Sequence, residues 1–304
     1  MTARKRLLVT GREGQVVRSL LERSALHNDI DILVAGRPEF DLSAPASLAT
    51  VIKSARPDLI VSAAAYTAVD EAEAEEELAR IINAQAAGVI AETAQALQIP
   101  VIHLSTDYVF DGSKMSAYVE TDPVAPVSAY GRTKLAGEEA VAAATDNHVI
   151  LRTAWVHSPF GKNFLKTMLR LGESRDSVNV VADQFGTPTS GLDIADAVIA
   201  IARNLLASRS PELRGVFHLT NSGRASWADF AEEIFRISAD LGGPVAVVGR
   251  IPTSEYPTPA RRPASSELDC TKLAAVHGVR LPDWAHSTKT VVTRVIHSLL
   301  PAST

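Results

Sequence analysis

The sequence predicts an α/β fold: a Rossmann-like, doubly wound parallel sheet with a smaller C-terminal α/β substrate domain. Three observations predict it. Short, continuously apolar runs alternate with longer helical patterns up to Arg152, and strands apolar on both faces belong to parallel sheets covered by helices on either side. The first apolar run leads directly into a glycine-containing turn, Thr10-Gly11-Arg12-Glu13-Gly14, and then into a helical stretch. After Arg152 the alternation loosens into mixed loops, short strands and amphipathic helices.

Arg6 to Val9 reads as the first strand and Arg18 to Ser24 as the first helix. Between them Gly11 allows a tight turn, and Gly14 lets a pyrophosphate approach the backbone at the positive end of the helix. Val17 stands where a third glycine permits close packing, so the helix is expected to sit slightly further out. An ordinary βα turn is the competing reading of this loop.

Ile30 to Ala35 is the second strand and ends at Gly36-Arg37. An acid there would bind a ribose 2′-hydroxyl, whereas an arginine suits a 2′-phosphate. Arg37 therefore points to NADP, the alternative being a solvated surface arginine. Phe40-Asp41-Leu42 follows, then a helix over Ala46 to Ser54. The third strand, Leu59 to Ala65, ends in the small residues Ser62, Ala63, Ala64 and Ala65, which let a flat ligand lie against the backbone. Tyr66-Thr67-Ala68-Val69-Asp70 leads into an acidic helix expected over Glu71 to Leu97, with Asn83 inside it.

Pro100 to Leu104 is the fourth strand, with Thr106 at its carboxyl end. Pro123, Pro126 and Ser128 mark a loop, and Ala129 begins the next helix. Tyr130 and Lys134 lie four apart on it, hence on one face and one turn apart. A free phenol has a pKa of about 10, and a neighbouring ammonium lowers it. A threonine hydroxyl beside them can hold a substrate oxygen. This set suits proton movement at a carbonyl or carbinol while a cofactor moves the hydride. A surface Tyr–Lys pair is the plainer alternative.

Val149 to Arg152 is a further strand. Beyond it, helices are expected over Phe164 to Leu171, Asp193 to Leu206, Trp227 to Ala239 and Thr271 to Gly278, with another from Trp284 onward. Strands are expected at Val178 to Val181, Gly215 to Leu219 and Val245 to Val248. The proline-rich Ile251 to Pro263 should be extended.

The 304 residues allow one large domain or two modest ones. A net charge of −5 without a basic run argues against a nucleic-acid partner. A lone cysteine, Cys270, rules out a disulfide within the chain. The sequence shows neither a signal-peptide core nor an apolar run of about 20 residues, so no membrane partner and a cytoplasmic location are expected. Histidines such as His103, His148, His157 and His218 are scattered and read as core or surface residues, with no metal motif.

These stretches carry a resemblance. Thr10-Gly11-x-x-Gly14, Thr106 and Tyr130-x-x-x-Lys134 resemble the extended short-chain dehydrogenase/reductases. Within them the chain is similar to the dTDP-4-dehydrorhamnose reductase family, through Ser105-Thr106-Asp107-Tyr108-Val109-Phe110-Asp111-Gly112, Arg152-Thr153-Ala154-Trp155, Asn163-Phe164, Asp183-Gln184-Phe185-Gly186-Thr187-Pro188-Thr189 and Arg262-Pro263. The serine that follows in the family pattern is either Ser265 or Ser266.

The resemblance implies NADPH-dependent reduction, with NADH as a second donor, of the C4 ketone of a dTDP-sugar in the last step of dTDP-rhamnose synthesis. It makes Tyr130 the proton donor, Lys134 its electrostatic partner and Thr106 a sugar-holding hydroxyl. Gly11, Gly14, Gln15 and Val16 would hold the pyrophosphate. Asp41, Leu42, Ala65, Tyr66 and Thr67 match further cofactor contacts, beside Arg37, Ala63 and Ala64. Asp107, Trp155, Asn163 and Arg262 would face the sugar nucleotide. Some members share magnesium between subunits through a carboxylate where this chain has Ser19, so no magnesium requirement and a monomer or weak homodimer are expected. The domains implied are 1–152 for the dinucleotide and 153–304 mainly for the sugar nucleotide, with 193–224 returning to the first. An epimerase or dehydratase of the same superfamily is one rival. Another is a non-catalytic NADP-binding regulatory subunit of the methionine adenosyltransferase type.

Overall fold

The computed structural model describes residues 4–299. The first half runs β1 (Lys5–Thr10), α1 (Gln15–Ser24), β2 (Ile30–Ala35), α2 (Leu48–Ala55), β3 (Leu59–Ser62), α3 (Glu76–Arg80), α4 (Ala86–Leu97), β4 (Val101–Thr106), α5 (Ala129–Ala144) and β5 (His148–Thr153). The second half adds β6 (Val156–His157), α6 (Phe164–Gly172), β7 (Ser177–Val181), β8 (Phe185–Gly186), β9 (Thr189–Ser190), α7 (Gly191–Ala207) and β10 (Gly215–His218). It closes with β11 (Ala225–Ser226), α8 (Trp227–Asp240), β12 (Val247–Ile251), α9 (Thr271–His277) and α10 (Trp284–Leu299).

Among the described residues the main sheet has six strands in the order β10-β5-β4-β3-β1-β2, and all its pairings are parallel. Strand side chains alternate between faces, and both faces here are apolar. Leu7, Val9, Val61, Ile102 and Leu104 meet α1 and α7 on one side. Leu8, Ile60, Val101 and Ile150 meet α2, α4 and α5 on the other. The chain leaves β1 toward β2 on one side, then returns to place β3 on the other. That reversal is a topological switch point, where ligands bind beyond the carboxyl ends of the strands.

A second apolar centre is built by α6, β7, α8 and α10, around Leu165, Phe230, Ile234 and Val292. β7 pairs in parallel with β12 beneath these helices. Strand β10 comes from the second half of the chain but pairs with β5 in the main sheet.

The structure departs from the sequence-based reading in several places. The helix expected over Glu71 to Leu97 is broken into a 3-10 turn (Glu71–Glu73), α3, a π-helical turn (Ile81–Gln85) and α4. The cause lies at Asn83. Its side chain accepts from Tyr66 N at 2.8 Å and donates to Tyr66 O at 3.2 Å and Thr133 Oγ1 at 3.1 Å. Across the same turn α5 packs so closely that a Cβ on Gly137 would lie 2.2 Å from Asn83 O. A widened turn lets Asn83 hold the end of β3, a common use of π-turns. The first helix begins at Gln15, ahead of Arg18, and the second splits into a 3-10 turn (Pro45–Ser47) and α2. The strand expected at Val245 to Val248 is shifted to Val247–Ile251, in register with β7, and a 3-10 turn at Thr253–Glu255 interrupts the proline-rich segment.

Candidate active site

A groove of about 940 Å³ lies over the carboxyl ends of β1, β3 and β4. Gly11, Gly14, Gln15 and Val16 form one wall, and Arg37, Asp41 and Leu42 one end. Ala63, Ala64, Ala65, Tyr66 and Thr67 form the floor, and Tyr130 and Lys134 the other end. The backbone is shaped for a flat anionic ligand. Gly11 has φ +100, and a Cβ on it would sit 3.3 Å from both Ala64 Cβ and Val17 Cγ2, so only glycine closes this turn without strain. Thr10 Oγ1 accepts from Ala63 N and Ala64 N, each at 3.0 Å, which ties β1 to the end of β3. At the start of α1 the cap residue is Gly14, with no side-chain cap. Its first backbone N–H groups are left as donors for an anion. These donors, the small-residue floor and the groove volume fit a dinucleotide. Val17 is 2% exposed and packs into the core; it fills this junction.

At the Arg37 end, Asp41 Oδ1 accepts from Ser43 N at 2.9 Å and Ser43 Oγ at 2.8 Å. These bonds hold its carboxyl below the usual range, with a smaller contribution from Arg37. Arg37 is exposed and makes no ion pair among the described residues. Arg12, which was not singled out from the sequence, lines the same end and pairs with Glu39 at 2.7 Å.

At the opposite end, Thr106 ends β4 and Tyr130 opens α5. Ser128 caps α5 by accepting from Gly131 N at 3.2 Å. A Cβ on Gly131 would lie 2.2 Å from Tyr108 O, so a glycine directly after Tyr130 lets the helix settle onto the β4 terminus. The Thr106 hydroxyl lies beside the Tyr130 phenol, its own proton going to Asp107. Tyr108 meets the Tyr130 ring edge-on, with centroids 5.8 Å apart. Burial pushes the phenol up to about 12, an effect the Thr106 hydroxyl partly offsets. Asp107 is 2% exposed and accepts from Thr106 Oγ1 at 3.0 Å. Burial pushes its carboxyl up to about 6 against the hydroxyls of Ser266 and Thr106. Of the two candidate serines, then, Ser266 is the one that faces Asp107.

One expectation is corrected here. Lys134 shares a helix face with Tyr130, but the phenol is not lowered as expected, because burial dominates there. Lys134 is 2% exposed, donates to Leu104 O at 2.6 Å and lies 3.5 Å from His103 Nε2. Burial lowers it to about 8, opposed by Glu138. The long side chain runs down onto β4, and the phenol, at about 12, is protonated at neutral pH.

None of the five residues expected at the sugar nucleotide, Thr106, Asp107, Trp155, Asn163 and Arg262, lines the groove. Asn163 caps α6, accepting from Lys166 N at 3.1 Å, and its Nδ2 donates to Gln15 Oε1 and Ser158 O, each at 2.9 Å. Its amide is spent within the chain. Gln15 is spent likewise: its Nε2 donates to Val156 O at 3.2 Å and its Oε1 also accepts from Ser158 Oγ at 2.9 Å. What Gln15 offers the groove is backbone. Arg262 binds both oxygens of Asp70, at 3.0 and 2.7 Å, which clasps the segment after β3 to the C-terminal part of the chain. Trp155 stacks on Trp227 with centroids 3.6 Å apart and has φ +46, a strained value for a bulky residue.

The sequence reading also missed a buried network behind the site. Arg152 donates to Glu138 at 2.7 and 3.0 Å, and Ser105 Oγ donates to the same carboxylate at 2.5 Å. One signal was available: Glu138 lies four residues after Lys134 and so shares its helix face.

The family described as RmlD substrate binding domain matches residues 5–297. A dTDP-4-dehydrorhamnose reductase of Sinorhizobium fredii is 52% identical over 287 residues, covering 94% of this chain and 96% of its own. A solved dTDP-4-dehydrorhamnose reductase from Clostridium acetobutylicum superposes with a TM-score of 0.89 at 34% identity, covering 96% of this chain and 99% of that one. Its counterpart from Bacillus anthracis, solved in complex with NADP, has a TM-score of 0.88 at 32% identity, with the same two coverages. The chain belongs to the dTDP-4-dehydrorhamnose reductase family and is an NAD(P)H-dependent oxidoreductase.

Proposed function

We propose that the chain reduces the C4 ketone of dTDP-4-dehydro-L-rhamnose to dTDP-L-rhamnose, with NADPH the preferred donor. The observation that carries this reading is Tyr130 lining a dinucleotide-sized groove with the Thr106 hydroxyl beside its phenol. When bound there, the nicotinamide supplies the hydride. Thr106 holds the ketone oxygen beside Tyr130, and the protonated phenol gives its proton to that oxygen as negative charge develops. Both groups are already in place, so they stabilise charge that appears only in the transition state. Trp155, with its indole fixed by Trp227, serves as an apolar wall for the sugar. Asn163 and Arg262 act as positioning residues: one holds Gln15, the other holds Asp70. The test is NADPH oxidation against a panel of nucleotide 4-keto sugars. Turnover with the dTDP-rhamnose precursor supports the reading. A protein that binds NADPH and oxidises none of it with any keto sugar would point to the regulatory-subunit alternative.

Three expected outcomes follow from the groove. Arg37 lines the groove and makes no ion pair among the described residues, so Arg37→Ala should lower the NADPH-over-NADH ratio of kcat/KM. A phosphate contact from a charged side chain is worth about tenfold or more. An unchanged ratio would transfer that role to Arg12.

A pH dependence follows from Lys134. Its pKa in the folded protein, about 8, lies below the ordinary lysine value of about 10.4, so the ammonium is lost as pH rises through about 8. Tyr130, at about 12, stays protonated across that range. The profile of kcat/KM should therefore fall on the basic side from about pH 8, and a profile flat to pH 10 would exclude the lysine from the rate.

Activity should survive EDTA. Ser19 is fully buried where α1 crosses α7, its Oγ donating to Gln15 O at 2.8 Å and lying 3.1 Å from where a Gly191 Cβ would be. A metal-binding carboxylate does not fit there. Loss of activity on chelation, restored by magnesium, would contradict this.

A further inference from the structure

Two polar positions on β4 are matched to two on α5. His103 and Ser105 point to the same face of the sheet, since strand side chains alternate. Lys134 and Glu138 lie one turn apart on the helix that covers that face. Ser105 meets Glu138, and His103 meets Lys134. Ile102 and Leu104 point the other way, into the apolar core. Aliphatic residues at positions 103 and 105 would avoid the cost of burying polar groups. Instead both positions are polar and both are partnered.

The His103 ring is 2% exposed and is engaged at both nitrogens. Nδ1 lies 3.1 Å from Ser62 Oγ, on the residue of β3 in register with it. Nε2 lies 3.5 Å from Lys134 Nζ. An ammonium has three donors and no acceptor, so it approaches Nε2 only when that nitrogen is bare. The single proton of the neutral ring then sits on Nδ1 and goes to Ser62. Burial and the neighbouring Lys134 charge both hold His103 well below the usual imidazole range. The other titratable groups bearing on the pair are His148, from β5, and Glu138, from α5, itself held by Arg152. Ser62 and the Asn83 carbonyl beyond Gly137 are neutral. One N–H of Lys134 is committed to Leu104 O and one to His103, which leaves the third for the groove that Lys134 lines.

We propose that His103 is a positioning residue of the reductase site: a neutral, Nδ1-protonated acceptor that fixes the rotation of the Lys134 ammonium and so aims its free N–H into the cofactor groove. The kinetic part rests on the proposed function; the tautomer does not.

The first measurement reads the tautomer. Full-length protein carrying 15N-labelled histidine is followed by imidazole 15N–1H correlation from about pH 6 to pH 9, where an unperturbed histidine would titrate, with and without NADP+. His103→Gln supplies the assignment. The expected result is a His103 ring protonated at Nδ1 and bare at Nε2 throughout. A ring protonated at Nε2, or one that gains a second proton in this range, overturns the proposal.

The second measurement is kinetic. His103→Phe keeps a ring but has no acceptor, so kcat should fall about tenfold, the scale of one hydrogen bond to a charged group. Its basic limb should move to lower pH, because the ammonium has lost an acceptor. In His103→Gln the amide oxygen can accept from Lys134 and the amide nitrogen can donate to Ser62, so most of kcat and the limb should return. Equal losses in both variants with unmoved limbs would mean that the ring only fills space, and a fully active Phe variant would be equally fatal. Should the Phe variant not fold, Ser62→Ala removes only the tautomer-setting partner; a smaller loss with the same direction of shift is expected, and no shift overturns the proposal. A wild type that reduces no keto sugar yet shows the Nδ1-protonated ring refutes the functional reading alone.

Discussion

Tyr130→Phe is expected to lower kcat by about 10²–10⁴-fold, the usual worth of a positioned general acid, while NADPH binding stays close to wild type. The ring stays and the hydroxyl goes, so packing against Tyr108 is kept. What is lost is the phenol hydroxyl that lies beside Thr106. The raised pKa of about 12 favours the reductive direction, because the group is protonated and ready to give at neutral pH. Thr106→Val should lose less, since it removes a holding hydroxyl and leaves the acid. Steady-state rates together with a fluorescence titration of NADPH separate the two effects. A Tyr130→Phe variant with full kcat would move the proton donor elsewhere; one that fails to bind NADPH would show that the hydroxyl holds cofactor more than it moves protons.

The largest stability effect is expected at Glu138→Ala. Glu138 and Arg152 are each about 5% exposed at the side chain and bind one another through paired oxygens and nitrogens. Truncating the glutamate strands a guanidinium inside the protein. Breaking one partner of a buried pair costs about 3–5 kcal/mol, a large share of a typical total of about 5–15 kcal/mol. Thermal and urea unfolding should both report it. The loss is mainly that of an uncompensated charge, so the double variant Glu138→Leu with Arg152→Met should recover much of the stability. A double variant as unstable as Glu138→Ala would mean that Ser105 and the surrounding backbone need the carboxylate for its own sake.

The reach of the sequence differed from one part of the molecule to another, for physical reasons. Strands β1, β3 and β4 are short unbroken apolar runs, and buried parallel strands have few other ways to look. That Gly11, Ala63 and Ala64 line the groove was readable because small residues clustered at strand ends leave backbone open, which composition displays directly. The turn at Asn83 was not readable, because its cause is long-range: a side-chain amide reaching Tyr66, and α5 arriving across Gly137. The destination of Lys134 was hidden for a similar reason. Helical spacing sets which face a side chain leaves from, but the carbonyl of Leu104 and the ring of His103 decide where its end goes. Trp155, Asn163 and Arg262 were assigned by likeness to relatives, and their partners Trp227, Gln15 and Asp70 lie at sequence distances that no local pattern spans.

The central claim is that this site delivers one hydride to C4 and one proton to the oxygen on it. The direct measurement uses NADPH carrying deuterium at the transferred position of the nicotinamide, with dTDP-4-dehydro-L-rhamnose as substrate and the product analysed by NMR and mass spectrometry. The expected product is dTDP-L-rhamnose with one deuterium, on C4, formed in equal amount to the cofactor consumed. Deuterium at any other carbon, or cofactor oxidation without label in the sugar, would contradict it.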